Sequence, residues 1–159
     1  MSDREGEPIT AREALLAYLV EQGVRQADDP PDAWFDDPWY RYPIGGRRVP
    51  VFPLFLIRRS LTLHDLNHLI SGYDLSLRGE VENAAWELGS GGCGRYVFFW
   101  VDRTIIVLLG LLSVPRTVVR AFRAGRSCRN LYQLDPNHAL AASIDDLRRW
   151  ASGDLATVG

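Results

Sequence analysis

The residues with the most chemical capacity lie close together: His64, Asp65, His68 and, after eleven intervening residues, Glu80. On a helix, residues four apart share a face, so His64 and His68 can offer two imidazole nitrogens to one ion. Gly72 suits a helix stop, and the chain then turns back through Tyr73 and Asp74. An antiparallel second helix would return Glu80 to the histidine pair. Three N/O ligands with an open position describe a catalytic divalent-metal site better than a closed structural one. Asp65 lies about 100° round the helix from His64. It can act as a fourth ligand, as an acceptor for a histidine N–H, or as a general base. Two neutral imidazoles and two carboxylates balance a dication, which lowers the cost of burying the carboxylates. Zinc suits this donor set, and iron, manganese and cobalt are compatible with it. Histidines at this spacing also arise by chance on exposed helices, but here two of only three in the chain are involved.

These residues must be positioned by helices. Thr10 and Glu13 have capping-box spacing for a first helix that runs to Gln22, with Ala11, Leu15, Tyr18 and Leu19 on one apolar face. The histidines fall on a helix from about Leu54 to Ser71. Glu80 falls on the next helix, which begins near Asp74 or Ser76 and runs to Leu88. The glycine-rich stretch Gly89 to Gly94 reads as a helix–helix connection. An apolar helix from Tyr96, a helix around Arg116 to Ala124 and a last helix within Ser143 to Ala151 complete the chain. Ser143 is its expected N-cap. Between the first helix and the histidine helix lies a long loop, 27–53. It carries Pro30, Pro31, Pro38, Pro43, Pro50 and Pro53 as well as Trp34, Phe35, Trp39, Tyr40 and Tyr42. Such a loop is expected either to anchor on the core through its rings or to cover a ligand. The run Val49 to Phe52 has weak strand character, against which Pro50 argues. The expected fold is therefore all-α: a single domain over residues 1–159, a bundle of about five to seven helices with one long aromatic and proline-rich loop.

Composition narrows the function. The chain has 159 residues and a net charge of −2, so no global basic field points to nucleic acid. Every basic residue is arginine, which excludes Schiff-base and lysine-nucleophile chemistry. Two cysteines, Cys93 and Cys128, make no disulfide framework, and a cytoplasmic setting is the simpler expectation. The apolar run Thr104 to Val114 falls short of the roughly 20 residues that span a bilayer. His-Asp-x-x-His differs from the zincin His-Glu-x-x-His by one methylene, and no downstream third-ligand pattern follows it. Phosphohydrolases built on a His-Asp dipeptide need a histidine well upstream, and none precedes His64.

The stretch from His64 to Trp86 resembles the coenzyme Q biosynthesis protein 4 family. The shared features are His-Asp-x-x-His, Gly72, and Gly79-Glu80 after an eleven-residue gap, followed by an apolar helix. The resemblance covers about residues 58 to 90, and Asn67 stands where an aromatic or apolar residue is expected. It implies an all-α fold and a divalent metal, usually zinc, with His64, Asp65, His68 and Glu80 as ligands. It also implies action on a prenylated ring, with the C1 carboxyl replaced by hydroxyl in an oxidative decarboxylation. Partners implied are an apolar, ring-containing small molecule, a membrane surface met from the cytoplasmic side, other biosynthetic proteins, and a second copy of the chain. In this reading Asp65 and Glu80 are the catalytic carboxylates. Trp34 and Tyr40 would cover the substrate, while Arg58, Arg59 or Arg78 would pair with its carboxylate. A tailoring enzyme of secondary metabolism, such as a cyclase or isomerase, is one alternative. A non-enzymatic lipid-binding scaffold with a structural metal is the other.

Overall fold

The structure, a computed structural model, describes residues 8–36, 38–44, 47–53 and 57–158. They form eight α-helices: α1 (Ala11–Glu21), α2 (Ala33–Asp36), α3 (Arg58–Ser71), α4 (Leu77–Gly89), α5 (Val97–Ser113), α6 (Pro115–Gly125), α7 (Pro136–Ala141) and α8 (Ile144–Ser152). A 3-10 turn (Leu131–Gln133) joins α6 to α7. Most of the chain is helical, and the fold is the expected helical bundle.

Local chemistry sets the ends of these helices. The Thr10 hydroxyl accepts from the Glu13 N–H, and the Glu13 side chain accepts from the Thr10 N–H, so α1 starts on a complete capping box. Ser76 and Ser143 cap α4 and α8 in the same way from their hydroxyls. Gly72 ends α3 at φ 80°, a left-handed conformation that a Cβ would oppose. The expected start of this helix at Leu54 lies outside the described residues, and its described part begins at Arg58.

The aromatic, proline-rich segment is not the structureless loop that its composition predicts. Residues Trp39–Ile44 (β1) and Arg47–Pro53 (β2) form an antiparallel hairpin. In a two-stranded ribbon both strands are edges, so a proline can turn its missing N–H outward. Pro50 pairs with Arg41 at the register shift between Tyr40 and Arg41, where a bulge already interrupts the ladder. Trp34 and Phe35 precede the hairpin on α2 and pack half-buried against the core. The ring-anchored expectation therefore holds for these two residues.

The main core joins Leu15 and Leu19 of α1, Leu63 and Leu66 of α3, Leu131 and Tyr132 of the 3-10 turn, and Leu147 and Trp150 of α8. Burying each of these leucines contributes about 1.5–3 kcal/mol. A smaller cluster of Ala85, Val118 and Ala121 seats α6 on α4. Helix α5 is unlike the others. Its buried residues are Phe99, Arg103 and Gly110, all on one stripe, while Val101, Ile105, Leu108, Leu109 and Leu112 are exposed. Among the described residues no helix is long and apolar enough to cross a membrane.

Candidate metal centre

Helices α3 and α4 run antiparallel. Ser71, at the end of α3, meets Asn83 midway along α4, whereas Asn67, one turn earlier, meets Glu87, one turn later. Glu80, about one turn before Asn83, reaches back along α3 to both histidines. Gly79 makes the approach close enough: a Cβ there would lie 2.0 Å from the Asp74 carbonyl oxygen in the connecting turn. The turn therefore folds directly onto the first turn of α4 and delivers Glu80.

His64, His68 and Glu80 form a group whose donor atoms all lie within 4.8 Å of one another, and this group can hold a metal ion. His64 Nε2 is 3.6 Å from Glu80 Oε2, and His68 Nε2 is 3.4 Å from Glu80 Oε1. Donors around a tetrahedral ion at ~2.0–2.1 Å are separated by roughly 3.3–3.4 Å, close to both values. Both histidines are buried, and Glu80 is partly open to solvent.

The outer contacts fix the orientation of both rings. His64 Nδ1 lies 3.0 Å from Glu87 Oε1, and His68 Nδ1 lies 2.9 Å from the Tyr73 carbonyl oxygen. Both partners only accept hydrogen bonds, so each shared proton sits on Nδ1. In the neutral tautomer each Nε2 then carries its lone pair towards Glu80. A carboxylate or carbonyl behind a metal-binding imidazole is the usual arrangement for fixing the ligand. Among the described residues His68 Nε2 is buried without a hydrogen-bond partner, and Glu80 Oε1 lies 3.4 Å from it. A buried, unpartnered imidazole nitrogen aimed at a carboxylate fits an ion better than it fits a filled core.

Glu87 is in turn held by the residues around it. Its Oε1 accepts from Asn67 at 2.9 Å and from the Tyr132 hydroxyl at 3.0 Å. The Asn67 amide oxygen accepts the Leu131 N–H at 2.9 Å, which ties α3 to the 3-10 turn. Asn67 thus links two buried polar groups where an apolar residue was expected. Arg103 reaches in from α5, with Nη1 3.2 Å from Glu80 Oε2 and Nε 2.8 Å from Asp102.

The electrostatics follow from these contacts in the ion-free chain. Burial lowers the His64 pKa, but the Glu87 charge and the hydrogen bonds His64 makes to Glu80 and Glu87 outweigh burial and Arg103, leaving it raised to about 9. Burial also raises the Glu80 carboxyl, yet the two histidines hold it well below the usual carboxylate range. The Asp65 pKa is pushed up to about 6, chiefly by burial, against the opposing charges of His64 and His68.

Asp65 does not join the three-residue group within 4.8 Å. Its Oδ2 is buried without a hydrogen-bond partner, and a hydrogen bond involving Trp34 bears on the carboxyl. Of the residues expected to bind substrate, Trp34 thus comes close to the site. Arg58 donates to the Trp34 carbonyl, and Arg78 is exposed beside Glu82. Arg59 pairs with Asp135. Tyr40 lies on β1, and its side chain is outside the described residues. His138 sits exposed on α7, away from the group.

Sequence reasoning missed Glu87, Arg103 and Tyr132. Glu87 carried a usable signal, since it follows Glu80 by seven residues and so shares its helix face. Arg103 and Tyr132 reach the site only through tertiary packing. No family model, no curated protein and no solved structure matches this chain. The functional reading therefore rests on the site itself.

Proposed function

We propose that the chain is a divalent-metal enzyme, with zinc the fitting ion, that acts on an apolar, ring-bearing metabolite of the prenylated quinone-precursor class. The observation that carries the metal reading is the convergence of two oriented imidazoles on one carboxylate. Each imidazole has its Nδ1 engaged, and the buried His68 Nε2 has no other partner. His64, His68 and Glu80 would hold the ion, and Asp65, buried but outside that group, would assist it. When bound, the ion would polarise a carboxylate or phenolate oxygen as a Lewis acid. Asp65, with a free buried carboxylate oxygen, is the group able to hold or move a proton beside the substrate. Replacing a ring carboxyl by hydroxyl, the chemistry implied by the resemblance, would take its oxygen from water, release carbon dioxide and two protons, and pass two electrons to an external acceptor.

The apolar class of substrate is supported by α5. Leu108, Leu109 and Leu112 are exposed on its outer face, and Arg116, Arg120 and Arg123 follow on α6. An apolar face bordered by arginines suits the surface of an anionic membrane, from which a prenylated substrate would be drawn. Mass spectrometry of small molecules that co-purify with the protein tests the substrate class. A ring-bearing prenylated compound, lost in His68→Ala while the fold is retained, is the expected result. Recovery of only polar metabolites would contradict it.

A further inference from the structure

Among the described residues Arg103 is the one buried arginine, and the proposed reaction does not use it. The residue is 6% exposed, and an arginine keeps its proton at any relevant pH. Nη1 lies 3.2 Å from Glu80 Oε2 and 3.4 Å from His64 Nε2. These are two of the three groups that can hold an ion. The same nitrogen is 3.9 Å from Glu87 Oε2, while Nε and Nη2 are engaged by Asp102. A single fixed positive charge thus sits among three carboxylates: Glu80, Glu87 and Asp102. Two of them project from one face of α4 towards the same imidazole and would repel each other without it. Once the imidazoles are neutral, as ion binding requires, these carboxylates and Arg103 leave a deficit of two positive charges, which a dication would fill.

We propose that Arg103 is a resident counter-charge that takes the place of the ion in the ion-free chain and competes with it for Glu80. The inference rests on the metal reading above and adds a positioning residue that sets ion affinity and choice. An ion with strong affinity for imidazole, such as zinc, displaces Nη1 from Glu80. An ion that prefers oxygen ligands and keeps its water, such as magnesium, does not. Arg103 stabilises the ion-free site more than the loaded one. By linkage, removing its charge must tighten ion binding. A residue that only anchored α5 would act in the opposite direction, because its loss would loosen the site in both states.

The test compares wild type, Arg103→Met and Arg103→Lys. Zinc affinity is measured by competition with a chromogenic chelator, and melting temperature is measured with and without zinc. Arg103→Met is expected to bind zinc more tightly, within the roughly 5- to 150-fold range of coupled binding. Its melting temperature is expected to fall without zinc and to recover with it, while Arg103→Lys stays near wild type in both measurements. Weaker or unchanged zinc binding, with equal melting losses in both states, overturns the inference. If Arg103→Met folds only with zinc, chelator-driven release replaces the equilibrium measurement: slower release than wild type supports the proposal, and faster release overturns it. Wild type that takes up no zinc removes the metal reading and this inference together. Wild type that binds zinc, with no tightening in Arg103→Met, removes this inference alone.

Discussion

Replacing Glu87 by glutamine separates the charge behind His64 from the packing around it. The amide has the same shape, and its oxygen can still accept from His64 Nδ1, from Asn67 and from the Tyr132 hydroxyl, the three contacts of 2.9–3.0 Å on Glu87 Oε1. What is lost is the negative charge that makes the imidazole a stronger donor to an ion. Outer-shell substitutions of this kind lower metal affinity by roughly 10–100-fold, about 1.4–2.7 kcal/mol. Glu87→Ala is a different perturbation, because it strands three buried polar groups. At about 1–3 kcal/mol for each, it should cost roughly 3–9 kcal/mol, a large part of the stability of an ordinary domain. Chelator competition for zinc affinity and circular dichroism for fold distinguish the two variants. Glu87→Gln that folds and binds zinc as tightly as wild type would refute the argument that Glu87 prepares His64.

Three further outcomes are expected. Below about pH 9 the ion-free His64 carries an extra proton, so zinc uptake at pH 7.5 should release protons, detectable with a pH indicator in weak buffer; binding without release would contradict this electrostatic picture. Cys93 is buried, with its thiol pushed up to about 12, chiefly by burial, so at pH 8 its thiolate fraction is about a thousandfold below that of a thiol at its ordinary value of 9.0. Iodoacetamide should therefore label Cys128 and spare Cys93 in folded protein, and rapid double labelling would contradict the burial. Asn67→Leu removes the acceptor of the Leu131 N–H and a donor to Glu87, and should cost about 1–3 kcal/mol in denaturant melts; unchanged stability would show that Asn67 is not a strut.

The three convergent groups were legible because short-range rules place them. Spacing of four fixes His64 over His68, Gly72 ends the helix, and a tight turn returns Glu80. The hairpin was not legible, because proline signals a loop unless both strands are edges and a bulge receives it, and neither condition shows in one strand's sequence. The role of Asn67 was misread as a departure from an apolar pattern. Its partners, Glu87 and the Leu131 N–H, are 20 and 64 residues away. Arg103 lay hidden within an apolar helix for the same reason. A charge in such a run reads as an interruption until the fold shows which carboxylates it meets.

The central claim is that His64, His68 and Glu80 hold a divalent ion. Elemental analysis of protein purified without added metal, then after zinc loading and gel filtration, tests it most directly. One ion per chain is predicted for wild type, falling to background in the double variant His64→Ala with His68→Ala. Stoichiometric metal in the double variant, or none in loaded wild type, would contradict the account.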